Sequence, residues 1–78
     1  MDNTSLDQLK PGQFGKIISL NAQGKLRTRL LDMGLVTGTT ITMIRKAPLG
    51  DPLEIEVKGY CLSLRMKEAE LITLEMTK

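Results

Sequence analysis

The chain has 78 residues, of which 41% are hydrophobic and 26% are charged, and its formal net charge is +2. This length predicts one small domain, residues 1–78, with a thin hydrophobic core. With no histidine and one cysteine, the chain has no imidazole for catalysis and cannot form a histidine or multi-cysteine metal site. One Phe, one Tyr, no Trp and the small net charge argue against nucleic-acid binding.

We expect the protein to be cytoplasmic and not to span a membrane. The longest uncharged stretch, 33–44, contains several glycines and threonines and is shorter than the roughly 18 apolar residues of a transmembrane helix. The first residues have neither the basic nor the apolar region of a secretory signal. A single cysteine also suits a reducing compartment.

The N-terminal third predicts a turn, a strand and a helix. Pro11-Gly12 favours a type II turn, and residues 14–20 are predicted to form a strand. Between residues 21 and 33, Leu26, Leu30 and Met33 recur with the period of a helix. Gly34 then predicts a Schellman C-cap that returns the next leucine onto the helix.

The remaining sequence predicts four strands. Residues 40–46 are rich in β-branched side chains, and residues 53–57 alternate between apolar and charged. Lys58-Gly59 predicts a tight hairpin turn. A partner strand then follows from Tyr60, with Tyr60, Leu62, Leu64 and Met66 on its apolar face. Residues 66–70 are predicted to form a short charged turn, with a short helix as the alternative, and the last strand is predicted to cover 71–76.

These elements predict a mainly β fold, a small SH3-like barrel of about five antiparallel strands with one short α-helix after the first strand. A strongly curved barrel would bury one face of each strand and protect the sheet edges. An open five-stranded sheet carrying one helix is the alternative.

The polar residues suggest no catalytic site. The serines and Cys61 have no histidine to activate them. Glu54 and Glu56 share a strand face, which alternation alone explains as a solvated surface. Together with Asp51 they could offer oxygen ligands to a ferrous ion, but without His or Cys a tight site is disfavoured.

The loop between the predicted strands 40–46 and 53–57 is unusual, because it combines two prolines and a glycine with an apolar residue at its centre. Leu49 either projects from a stiff tip, where it would lose little entropy on binding a partner, or folds back as a lid on the barrel. Basic side chains on the helix form a second candidate partner-binding surface. The alternative is that these charges are simply exposed to solvent and bind no partner. The predicted partner-binding residues are Pro48, Leu49, Gly50, Asp51, Pro52, Arg27 and Arg29.

Three segments resemble the FeoA family. They are Leu26-Arg27-Thr28-Arg29-Leu30-Leu31-Asp32-Met33-Gly34-Leu35, then Gly38-Thr39, and then Ala47-Pro48-Leu49-Gly50-Asp51-Pro52 with Gly59-Tyr60. The resemblance implies an SH3-like barrel and a small cytosolic component of bacterial ferrous iron uptake. It also implies the membrane transporter FeoB as partner, through its G-protein domain or its membrane part.

We therefore expect a non-enzymatic adaptor that modulates FeoB activity or assembly and holds no resident cofactor. The alternative is a weak carrier of ferrous or another transition metal ion that uses Asp51, Glu54 and Glu56.

Overall fold

The computed structural model describes residues 3–76. Its strands and helices follow in chain order, with a short 3₁₀ helix, Leu6–Gln8, after the first strand: β1 Asn3–Ser5, β2 Phe14–Leu20, α1 Gly24–Asp32, β3 Thr40–Lys46, β4 Leu53–Val57, β5 Tyr60–Leu64, α2 Met66–Ala69 and β6 Ile72–Met76.

All strands belong to one antiparallel sheet of six strands in the order β1-β6-β2-β3-β4-β5. The mainly β prediction is confirmed, with one strand more than expected. The additional strand, β1, pairs with β6 from Asn3↔Glu75 to Ser5↔Thr73. Its three residues are polar and too few to show an alternating pattern, so only pairing with the far end of the chain makes them a strand.

The sheet bends at two register shifts. One lies in β2 between Ile17 and Ser19 where it pairs with β6, and the other lies in β3 between Met43 and Arg45 where it pairs with β4. Such bulges increase the local twist, which lets the sheet wrap around its core. The buried core residues are Leu6, Leu9, Ile17, Leu20, Ala22, Leu30, Leu35, Ile41, Met43, Leu53, Ile55, Val57, Leu64, Ala69, Ile72 and Leu74.

Helix α1 starts later than the apolar spacing predicts. Residues 21–23 are not helical, and the Asn21 N–H donates instead to the Leu71 carbonyl at 2.7 Å. The predicted Schellman C-cap is confirmed: Gly34 has φ +92° and donates to Leu31, and Leu35 donates to Leu30 at 3.1 Å. None of the described helices is long and apolar enough to cross a membrane.

Both predicted turns are confirmed. Gln13 N–H donates to the Lys10 carbonyl at 2.9 Å, and Gly12 at the third position has φ +89°, as in a type II turn. Lys58 and Gly59 have φ +52° and +87°, the pair of positive values that defines a type I′ hairpin.

Strand β5 departs from the prediction at both ends. It stops at Leu64, and Met66 begins α2 instead of continuing the strand. Tyr60, predicted on the apolar face of this strand, is 48% exposed. Because Tyr60 directly follows the hairpin turn, its ring lies at the margin of the core, and its hydroxyl donates to the Met33 carbonyl at 3.2 Å.

Candidate partner-binding site

The loop 47–52 connects β3 to β4 and has an ordered backbone. Ala47 N–H donates to the Pro52 carbonyl at 3.0 Å, and Gly50 N–H donates to the Ala47 carbonyl at 2.7 Å. Pro48 and Leu49 therefore occupy the two central positions of a turn. The Leu49 side chain is 95% exposed at the tip, so it does not fold back as a lid.

Two contacts hold this loop against the start of α2. The Met66 N–H donates to Asp51 Oδ1 at 3.1 Å. The space beside Gly50 is filled by Met66, whose Cε would lie 3.3 Å from a Cβ built on that glycine. The loop is thus anchored on the side away from its tip, which leaves Leu49 as its projecting apolar group.

A cavity of about 280 Å³ opens beside the base of the loop. It lies where α1, the end of β5 and α2 come together, and it joins two of the predicted binding residues, Pro52 and Arg29. The residues that line it are Arg29, Pro52, Ser63, Leu64, Arg65 and Glu68.

Glu68 organises the charged wall of this cavity. Its side chain is only 11% exposed. Oε2 accepts a 2.8 Å hydrogen bond from Arg29 Nη1, and Oε1 accepts a 3.0 Å hydrogen bond from the Arg65 backbone N–H. The carboxylate therefore ties α1 to α2 and also satisfies a free N–H at the start of α2.

The two predicted helix arginines occupy different surroundings. Arg29 lies on the cavity, and its side chain remains 58% exposed beyond the ion pair. Arg27 does not line the cavity, and its Nη1 donates to the Leu20 carbonyl at 2.7 Å. Residues two positions apart on a helix point in divergent directions, so the structure groups Arg29, and not Arg27, with the loop.

Sequence reasoning missed three of the polar lining residues, Ser63, Arg65 and Glu68. Ser63 and Arg65 were assigned to the polar face of the strand from Tyr60, and Glu68 to a charged turn. Their grouping depends on a contact between positions 29 and 68, which no local pattern encodes. The only available signal was the alternation that kept Ser63 and Arg65 off the core face.

The three carboxylates proposed for metal binding do not form a site. Among the described residues, no group of three or more His, Cys, Asp or Glu side chains could hold a metal ion. Asp51 accepts from Met66, and Glu54 forms a 2.6 Å ion pair with Arg45 on the neighbouring strand. Glu56 is two residues along β4 and exposed, so each carboxylate has a separate environment.

Residues 4–76 match the FeoA domain family. The chain belongs to the FeoA family. This confirms the resemblance seen in the helix and loop segments, and it places the cavity and the loop 47–52 within the matched domain.

Two named relatives connect the FeoA domain with iron transport. A fusion of Fe(2+) transport protein A with the Fe(2+) transporter FeoB from Porphyromonas gingivalis is 38% identical over 71 residues. These are 91% of this chain but only 8% of the fusion protein. A Campylobacter jejuni protein that carries the name Fe(2+) transport protein A is 31% identical, over 92% of this chain and 97% of its own length.

Solved FeoA structures share the fold. The solution structure of Chlorobium tepidum FeoA is 40% identical, with a TM-score of 0.90 over 96% of this chain and 71% of that chain. Stenotrophomonas maltophilia FeoA, crystallised with zinc and named a prokaryotic SH3 domain protein, is 26% identical. Its TM-score is 0.81 over 92% of this chain and 89% of that chain. The SH3-like architecture is therefore confirmed.

Proposed function

We propose that this FeoA-family chain is a non-enzymatic, cytoplasmic accessory protein of ferrous iron transport that docks on FeoB and modulates its activity or assembly. The observation that carries the proposal is the 95% exposure of Leu49 on a hydrogen-bonded, anchored loop. The docking surface is the loop 47–52 together with Arg29 at the rim of the cavity.

The fusion protein of Porphyromonas gingivalis supports FeoB as the partner. Covalent linkage keeps two modules at a high effective concentration, which favours an interaction between them. Without such a linker, the same domain would have to form that interaction from free solution through a surface of its own. The exposed leucine beside an arginine-lined cavity provides such a surface.

The loop is suited to binding because its conformation is already determined. Two backbone hydrogen bonds and the Asp51 contact with α2 mean that little loop entropy is lost when a partner covers it. Burying a fully exposed leucine contributes roughly 1.5–3 kcal/mol. Docking of this kind alters FeoB only if the chain has different affinities for two FeoB states.

The absence of histidine from the sequence supports a non-enzymatic role, because Ser63 in the cavity has no imidazole to activate it. The carboxylate of Glu68 already accepts from Arg29 and from Arg65. The polar residues that line the cavity can therefore bind a partner through hydrogen bonds and charge.

The test is the affinity of the full chain for full-length cognate FeoB in nanodiscs, measured by biolayer interferometry. Leu49→Ala removes three carbons from the proposed contact, which corresponds to about 2 kcal/mol, or a roughly 30-fold higher Kd. Its urea unfolding curve should stay within about 0.5 kcal/mol of the wild-type curve, since the side chain contacts little of the protein.

Ile18→Ala is the matched control, because Ile18 is also an exposed apolar residue but lies on β2, away from the loop. It should leave the Kd within about threefold of the wild-type value, because it lies outside the proposed contact. Equal affinities for the wild type and Leu49→Ala would show that the loop tip is not the docking surface, and no binding by the wild type would refute docking on FeoB.

A further inference from the structure

Within residues 3–76, strand β5 forms an open edge of the sheet, since it pairs only with β4 and its residues Cys61 and Ser63 are exposed. The type I′ turn at Lys58-Gly59 determines which of its backbone groups are free. In a two-residue hairpin the flanking pair, Val57↔Tyr60, exchanges both backbone hydrogen bonds, and hydrogen-bonded and non-hydrogen-bonded pairs then alternate. The register has no shift along β5, so the N–H and C=O groups of Cys61 and Ser63 point away from β4.

The arginine-lined cavity lies directly at the end of this open edge. Ser63, Leu64 and Arg65 form one side of it, and Arg29 on α1 lies on another. The outward backbone groups of β5 and the two arginine residues that line the cavity are therefore adjacent parts of one surface. An extended peptide could use both at once.

The charge of the cavity is positive. In the described part of the chain, Glu68 is the only acidic residue that lines the cavity, and its two oxygens already accept from Arg29 and from the Arg65 N–H. The guanidinium of Arg65 has no carboxylate within 4.0 Å in residues 3–76, and Arg29 is more than half exposed. Each guanidinium carries five N–H donors, so both arginines have donors left for a further acceptor.

We propose that an extended segment of the protein partner adds to β5 as a further strand and places an Asp or Glu side chain in the cavity between Arg29 and Arg65. This inference rests on the proposed docking on FeoB and names the chemistry that the FeoB segment must have. The free backbone groups of Cys61 and Ser63 select a peptide over a free anion, because main-chain pairing at a sheet edge supplies affinity. The two guanidinium groups select an acidic side chain over a neutral one.

Amide hydrogen exchange resolved to single residues tests the strand addition. We would compare the full chain alone with the chain bound to full-length FeoB in nanodiscs. The amides of Cys61 and Ser63 should exchange at least about tenfold more slowly in the complex, because they gain hydrogen-bond partners. The amides of Leu62 and Leu64 already donate to β4 in this register, and they serve as the internal reference with a smaller change.

Charge reversal tests the acidic side chain. Arg65→Glu should raise the Kd for FeoB by about tenfold or more, since it places like charges together. Lys67→Glu is the matched control: it changes the net charge by the same amount on the exposed side of α2 but does not line the cavity. It should change the Kd by less than about threefold. Arg65→Ala, which introduces no repulsion with Glu68, should weaken binding in the same direction.

The possible results separate the two proposals. Wild-type binding without protection of Cys61 and Ser63, or equal effects of Arg65→Glu and Lys67→Glu, would overturn the strand-addition proposal and leave docking on FeoB intact. Protection that appears in the chain alone and rises with its concentration would assign the edge to a second copy, and would also overturn it. No wild-type binding at all would refute docking on FeoB and this inference together.

Discussion

The contribution of Glu68 to stability can be estimated from its contacts. Glu68→Ala removes an acceptor from the Arg65 N–H at the start of α2, a type of contact typically worth about 1 kcal/mol. It also removes the ion pair with Arg29. Because the arginine is largely exposed while the carboxylate is mostly buried, this pair should contribute about 1 kcal/mol, the upper end of the range for exposed pairs. We expect Glu68→Ala to lower the free energy of unfolding by about 2 kcal/mol.

Urea unfolding followed by far-UV circular dichroism measures this loss directly. For a domain of this size, about 2 kcal/mol corresponds to a decrease in Tm of roughly 8–16 °C. A double-mutant cycle with Arg29→Ala isolates the ion pair, for which we expect a coupling free energy of about 1 kcal/mol.

Thr28→Ala is a control for the loss of a polar side chain, because Thr28 is exposed on α1 and does not line the cavity. We expect it to change the free energy of unfolding by less than about 0.5 kcal/mol. A Glu68→Ala variant as stable as wild type, or a coupling energy near zero, would refute the reasoning. The first result would mean that desolvation of the carboxylate cancels its hydrogen bonds, and the second that the ion pair with Arg29 contributes nothing measurable.

Two further predictions concern the fold around the site. Leu53→Ala should lower the free energy of unfolding by about 2–5 kcal/mol, because Leu53 is fully buried directly after the exposed loop. A loss below about 1 kcal/mol, measured by urea unfolding, would contradict the place of Leu53 in the core. Gly34→Ala should cost about 1–2 kcal/mol, because φ is +92° at the Schellman C-cap and the added Cβ would lie 3.2 Å from the Tyr60 hydroxyl oxygen. The same change at Gly15 tests steric crowding alone, because Gly15 has no positive φ but an added Cβ would lie 3.0 Å from the Glu75 carbonyl oxygen. An unchanged Tm for Gly34→Ala would argue against the conformational explanation.

The strands that the sequence predicted correctly are those whose two faces differ in chemistry. Alternation in Leu53–Val57 and β-branched residues in Thr40–Lys46 gave the bounds of β4 and β3. Strand β2 was predicted correctly as well. The edge strand β1 was missed because its residues are polar and become a strand only through β6.

For the candidate site, the types of neighbouring residues predicted the loop 47–52 but not the cavity, which is lined by residues from distant parts of the sequence. Two prolines and a glycine predicted a stiff loop, and the structure then decided between the two alternatives for Leu49 in favour of full exposure. Arg29 was chosen for its charge alone. The helix period already separates it from Arg27, but its place on the cavity became visible only when α1 was placed against α2.

The sequence by itself determined the turns, the end of α1 and the alternating strands, because each depends on φ preferences or on the period of neighbouring residues. The tertiary structure alone decided that Arg29 meets Glu68, 39 positions away, and that Arg65 remains without a carboxylate partner among the described residues. It also decided that β5 lies at an open edge next to the cavity. These features depend on how distant segments pair and pack when the sheet closes around the core, and short-range patterns carry no information about that pairing.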